Sequence, residues 1–585
     1  MFISEEAKKR AKDFLENEKQ FHLGMLPTEQ SNPKTRGLDE VFESDTAKGV
    51  DMLFSVDEDI VPMAEKVFAG EEFAHMLESS YKAIVEGGKI VFSGCGATGR
   101  LSILLESMWR AFFRDLKVEQ PEIFTKVACF ENSVFSIMTG GDYALIKSVE
   151  SFEDYPQFGK RQAHELDLNS NDVLIAITEG GETSSVLGTV QYALEVDAKA
   201  FLMFNNPADV LCEHIERSRL AIENPDVTVL DLYCGPMAIA GSTRMQATTS
   251  EQLVAGAMLE KLIDRLLKEN LSTKEYDLFP KSDFDYAAEM QKIITDLRSK
   301  DALETLAKYV RFEEKVYREK GLITYFAYEF LIDIFTDTTE RAPTFMLPPF
   351  RKFDDTKQLP SPAFVKSPLF KTVDAWKHCM GREPRCLEWM TEDYVEMKSP
   401  ERVIANQPKI SRMEMYKFLV GNEEENYRFE TPCSAAVNIF AGNEYNAELQ
   451  AESSKFTSKF PENVTLIIGD AKNVPEGAWL VPGAVRKSNL NLMDHMKIKL
   501  CMNTFSTGTM VCLGKVKSNW MSFVSMSNKK LIDRCIRLIA ELGNISYEEA
   551  CYDLHQSIVE LEQTDFTGKE EPSPVQYTLN KLDCA

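Results

Sequence analysis

Histidine is scarce in this chain and cysteine is scattered. The seven histidines are dispersed, and the twelve cysteines stand singly, with no C-x-x-C pair and no Cys/His cluster. That pattern offers no metal-ligand set and no Ser-His-Asp constellation that sequence alone could support, so neither a metal nor a cofactor is expected. Also missing is any run of the ~20 apolar residues that a bilayer requires, and no membrane partner is expected. The opening MFISEEAKKRAKDFLENEKQ is charged and helical in pattern, unlike a signal peptide. Lone cysteines in a long chain without a leader read as reduced thiols, which sets the expected compartment as the cytoplasm. Positive charge is in deficit too: 66 Lys and Arg against 92 Asp and Glu give a formal net charge of −26. A field of that sign repels phosphates and argues against nucleic acid. A phosphorylated small ligand must then be held by a local device, such as backbone N–H groups or hydroxyls.

What is present is an ordinary globular composition, 44% hydrophobic and 27% charged, in 585 residues. That length exceeds the ~250–300 residues at which single cores stop growing. Residues 1–45 read as a helix followed by a polar loop, TEQSNPKTRGLDEV. From 46 to 270, strand-length apolar runs alternate with helical segments: KIVFSG (89–94), VLIAIT (173–178), AKAFLMF (198–204) and VTVLDL (227–232). Residues 271–300 read as a helical linker. A second alternating region, 301–530, carries GLITYFA (321–327), SAAVNIFAG (434–442) and NVTLIIG (463–469), with a Pro-rich, irregular insert at 347–370. Residues 531–585 read as one or two helices and an acidic tail. Short apolar runs bounded by Gly and Asn suit a parallel sheet covered on both faces. The expected fold is therefore α/β: two tandem, doubly wound, flavodoxin-like domains with flanking helices.

Three loops carry candidate chemistry. The first, Ser93-Gly94-Cys95-Gly96-Ala97-Thr98-Gly99-Arg100, joins a strand to a helix. Glycines there let backbone approach a ligand, and the helix start offers unpaired N–H donors. The second, Thr178-Glu179-Gly180-Gly181-Glu182-Thr183, has the same placement. The third is Gly241-Ser242-Thr243-Arg244, ahead of another helix. Each could be a plain turn and helix cap, but three in one sheet gather where such sheets bind ligands. GCGATG lacks the downstream acidic residue of a dinucleotide fingerprint.

In this order the loops resemble the SIS family of phosphosugar enzymes and binding proteins, with TEGGET similar to an S-x-S-G-x-T phosphate loop in which Gly180 replaces a serine. More narrowly, TEQSNPKTRGLD, SGCGATGRL, TGGDYALIKSVESFED and GPMAIAGSTRM resemble the N-acetylmuramic acid 6-phosphate etherases and the glucokinase regulatory protein. The resemblance covers nearly all of residues 25–265. It implies two tandem SIS domains and a phosphorylated sugar as ligand. It places functional glutamates on Glu150 and, through TDTTERAPTF (336–345), on Glu340, and a site lysine on Lys499. Met108 and Gln252 stand at the corresponding positions of the first half, and the second half presents AYEFLID where a glycine loop would be. One shared site per chain follows, with Ser93, Gly96, Thr98, Gly99, Thr178, Gly180, Thr183, Ser242, Arg244 and Lys499 holding the sugar phosphate and Glu150 and Glu340 facing the ring. Two activities stay open: a sugar-phosphate-binding protein that regulates a sugar kinase, and an etherase-type lyase that releases lactate. A sugar-phosphate isomerase fits less well, because no histidine is placed to open a ring.

Overall fold

The computed structural model describes residues 2–149, 152–470, 474–524, 526, 529–566 and 572–582. Helix α1 (Glu5–Asn17) precedes the polar segment, and the first sheet follows with strands β1 (Ile90–Gly94), β2 (Val134–Met138), β3 (Val173–Ile177), β4 (Lys199–Phe204) and β5 (Val227–Asp231). All neighbours are parallel, in the order β2-β1-β3-β4-β5. Helices α2 (Ala97–Glu119) and α3 (Ser184–Glu195) leave the carboxyl ends of β1 and β3, and α4 (Gln246–Asn270) closes the first half. The second sheet comprises β6 (Ile323–Phe326), β7 (Ala363–Lys366), β8 (Ala435–Ala441), β9 (Glu462–Ile468) and β10 (Trp479–Val481), again parallel, in the order β10-β9-β8-β6-β7. Read from its own first strand, that is the topology of the first sheet. Its helices include α5 (Leu331–Phe345) and α6 (Leu492–Cys512). The chain ends in α7 (Lys529–Gly543), α8 (Tyr547–Glu562) and α9 (Pro574–Lys581).

The strands form where expected because β1, β3, β6 and β8 are buried along their whole length, the environment that continuous apolar runs need. Three strands of these two sheets lie outside the runs read from the sequence: β2, β7 and the three-residue β10. Strand β7 falls inside the segment 347–370, which is otherwise irregular, so proline there bounds an edge strand and does not exclude one. Three helices, not one or two, occupy the described part of the C-terminal segment.

The halves do not stand apart. One continuous apolar cluster runs through Leu104, Trp109, Leu259, Ile334, Phe505, Ile536 and Leu554. The segment 271–300 joins it through Tyr286, Ile293 and Leu297. Where α4 crosses α6, a Cβ on Gly256 would lie 2.3 Å from Leu492, so glycine sets how closely the two long helices approach. The described cysteines are free. Among the described residues, no helix is long and apolar enough to cross a membrane.

Candidate functional site

In a sheet of this order the crevice lies between the carboxyl ends of β1 and β3, where successive connections leave in opposite directions. A cavity of about 220 Å³ opens there. Its floor is Cys95–Ala97 from the β1–α2 loop and Glu179 and Thr183 from the β3–α3 loop. Gly241–Arg244 form one side. The opposite half contributes Glu340 from α5, and the C-terminal helix α7 covers the opening with Lys530, Leu531 and Arg534.

The first loop is shaped by its glycines. Gly96 takes φ +58°, and a Cβ on Gly94 would lie 2.3 Å from the Thr98 backbone. Helix α2 starts without a side-chain cap, which leaves its first N–H groups directed at the cavity. Thr98 does not reach outward: its hydroxyl donates to the Cys95 carbonyl and accepts from the Cys95 N–H, both at 2.9 Å. Ser93 is buried and its hydroxyl accepts from Thr189 at 3.0 Å. Gly99 packs on Met138. Thr178 donates to Thr183 at 3.1 Å, and the Gly180 carbonyl accepts from Asn206 at 3.1 Å.

Of the residues marked from the sequence, Gly96, Thr183, Ser242, Arg244 and Glu340 line this cavity, whereas Ser93, Thr98, Gly99, Thr178 and Gly180 build the loops behind it. Glu150 lies outside the described residues. Arg244 is not a surface residue: its guanidinium donates to Asp337 at 2.9 Å, Ser506 at 3.1 Å and Thr507 at 2.9 Å. Lys499 lines a smaller recess beyond Glu340 and Arg244 with Gln252. It donates to the Arg244 carbonyl at 2.7 Å and to Asn503 at 2.9 Å. Burial, and then Arg244, push its ammonium down to about 8. Glu340 accepts from Arg100 of the first half.

Glu179 and the α7 cations were not singled out from the sequence. Glu179 stood in view as a spacer in TEGGET. Burial pushes its carboxyl up to about 7 against the pull of its own backbone N–H and of Lys530, and Glu340 adds to the rise. Lys530 and Arg534 reach the cavity through a contact no local pattern announces: Arg534 donates to both carboxylate oxygens of Glu29, at 2.7 and 2.8 Å. Glu29 belongs to the polar TEQSNP segment, whose Thr28 exchanges hydrogen bonds with Asn206 and whose Asn32 donates to the Pro236 carbonyl. That segment braces the second and third loops and anchors α7 over them.

The matching crevice of the second sheet is filled. Tyr328 stacks on Phe440 at 4.8 Å, Phe330 meets His495 edge-on at 4.8 Å, and Glu329 pairs with Arg114. The first half keeps a carboxylate of its own near the position of Met108. Glu106 is the tenth residue of α2, as Glu340 is of α5. It is tied up: burial raises its carboxyl, but Arg382, Arg385 and Arg110 prevail and hold it at about 2.

Residues 72–194 match the glucokinase regulatory protein N-terminal SIS domain. An N-acetylmuramic acid 6-phosphate etherase of Prochlorococcus marinus is 30% identical over 246 residues, which is 42% of this chain and 68% of that protein. N-acetylmuramic acid 6-phosphate etherase 1 of Bacillus licheniformis is 28% identical over 233 residues, 40% of this chain and 67% of that one. Among solved structures, tagatose-6-phosphate ketose/aldose isomerase from Escherichia coli superposes over 82% of this chain and 96% of its own at 10% identity and a TM-score of 0.38, too loosely to add to the argument.

Proposed function

Since this chain belongs to the N-acetylmuramic acid 6-phosphate etherase family of SIS-domain proteins, we propose that its cavity binds one phosphorylated sugar and that the chain acts as a sugar-phosphate-binding protein of carbohydrate metabolism. The observation that carries this reading is the cavity itself: loops from one half, Glu340 from the other and cations from α7 converge at the switch point of the first sheet. The uncapped start of α2 and the Arg244, Lys530 and Arg534 cations suit a phosphate, while Glu179 and Glu340 suit sugar hydroxyls. The cations already have carboxylate partners, so the wall is close to neutral and a phosphate is held by directed N–H groups more than by net charge. A sugar kinase controlled by the bound ligand is the partner that the likeness to the regulatory protein's N-terminal domain suggests.

The test is thermal unfolding with hexose 6-phosphates and with the free sugars. A ligand at ~100 times its dissociation constant adds ~2.7 kcal/mol of stability. Equal shifts for glucose and glucose 6-phosphate would refute the reading. A second reading, lyase chemistry, is favoured by two carboxylates in one wall, Glu179 at about 7 and Glu340 paired with Arg100, since acid–base work needs groups in different protonation states. Lactate release from N-acetylmuramic acid 6-phosphate decides between the two.

A further inference from the structure

Charges around the cavity do not cancel locally. Arg100 is matched by Glu340, Arg244 by Asp337 at 2.9 Å, Arg534 by Glu29 at 2.7 Å and Lys530 by Glu182 at 3.1 Å. Glu179 has no such match. Among the described residues, no lysine or arginine stands within ion-pair distance of its carboxylate, which is held by its own backbone N–H and by a long bond from the Thr248 hydroxyl at 3.3 Å. Glu251, which the charge of Glu179 raises further, is fully buried with both carboxylate oxygens unpartnered. Ser242 lines the cavity, with its hydroxyl oxygen buried behind the wall and unpartnered. One end of the cavity therefore presents a carboxylate that Lys530 influences but that no cation of the protein pairs directly, in surroundings where a charge-assisted hydrogen bond is stronger than in water.

We infer that the sugar phosphate bound here carries a free, protonated amine, with its ammonium group seated between Glu179 and Glu340. The inference rests on the reading of the cavity as a phosphosugar site and names the class of sugar. An ammonium has three donors and no acceptor. Two of them match the Glu179 carboxylate and the Glu340 oxygen that Arg100 does not take. A hydroxyl at the same carbon leaves Glu179 without a counter-charge, and an N-acetyl group removes the charge and adds bulk. Glu179 thereby sets specificity: a carboxylate placed in a phosphate-type loop repels a phosphate at that point and turns the ligand so that its cationic end faces β3.

Calorimetry at pH 7 with glucosamine 6-phosphate, glucose 6-phosphate and N-acetylglucosamine 6-phosphate tests this. Glucosamine 6-phosphate should bind roughly tenfold or more tightly than either of the others, the size of one charge-assisted contact. Glu179→Gln should abolish that preference, so that the variant binds glucosamine 6-phosphate and glucose 6-phosphate with equal affinity. Equal binding of the aminated and neutral sugars to the unaltered protein overturns the inference alone, and so does a preference that survives in Glu179→Gln. If the variant does not fold, the three-ligand comparison on the unaltered chain still decides. Failure of all three phosphosugars to bind overturns the underlying phosphosugar reading, and the inference with it.

Discussion

Arg100 of the first half and Glu340 of the second form a buried ion pair across the shared cavity, and the Arg100 Nε also donates to Thr339 at 3.1 Å and to the Leu145 carbonyl at 3.1 Å. The pair joins loop one to helix α5, so it sets the position of Glu340 relative to Gly96. Breaking one side of a buried pair leaves an uncompensated charge and costs ~3–5 kcal/mol. Arg100→Met should lower unfolding stability by an amount of that order. Pairing it with Glu340→Met should cost clearly less than the sum of the single changes. Urea unfolding of the four proteins measures this, and additive losses would show that the two side chains are not energetically coupled.

One ligand should bind per chain. The second crevice has the same strand order but is occupied by Tyr328, Phe330 and the Arg114–Glu329 pair. Bulky side chains at the start of α5 keep a phosphate from its backbone donors, where glycine would admit it. Titration calorimetry with a hexose 6-phosphate should give a ratio near one. A ratio near two would mean that the second crevice opens in solution.

Much of the fold was legible because central strands of parallel sheets are written as unbroken apolar runs. KIVFSG, VLIAIT and SAAVNIFAG each became a buried strand. Strand β2 was missed because Ser136 interrupts VFSIM on a face that serves Glu106, and β10 because three residues carry no period. The site was less legible. Strand-to-helix loops could be placed, yet the direction of a hydroxyl depends on its neighbours: Thr98 turns back on Cys95 and Ser93 meets Thr189. The α7 cations were invisible because Arg534 finds Glu29 505 residues away. Glu179 was in plain sight, but only burial distinguishes an unpaired carboxylate from a solvated one.

Stability on the acid side should report the anchor of α7. Burial works against the Glu29 carboxylate, yet Arg534, Lys530 and Arg537 hold it at about 2, below an ordinary 4.5. A depressed carboxyl contributes stability that is whole above pH 4.5 and is lost as pH falls toward 2, up to about 3 kcal/mol by linkage. Glu29→Gln should therefore be less stable than the unaltered chain at pH 7, and the two should converge as pH falls toward 2. A constant gap across that range would assign the loss to packing alone. Sugar-phosphate affinity should fall in the same variant, because Arg534 and Lys530 lose the group that holds them over the cavity.

The buried carboxylates give the opposite slope at higher pH. Burial pushes Asp57 up to about 7 from 3.8, although Gln246 donates to it at 2.9 Å and Lys499 draws it down. Burial, with Glu179 adding, raises Glu251 well above 4.5. In each case the unfolded chain loses its proton first. Between the two pKa values the native state binds more protons, and stability falls by up to ~1.4 kcal/mol per pH unit for each group. Asp57→Asn and Glu251→Gln remove the groups that cause the fall. Asp57→Asn should gain on the unaltered protein from about pH 4 and run parallel to it above about 7, where Asp57 is ionised in both states. Glu251→Gln has no polar partner to lose, since both oxygens of Glu251 are unpartnered, so near pH 4.5 it should match the unaltered chain and then draw ahead as pH rises. Urea unfolding from pH 4.5 to 8 separates the two profiles. A Glu251→Gln curve that stays level with the unaltered protein throughout would mean that Glu251 is solvated or paired in solution.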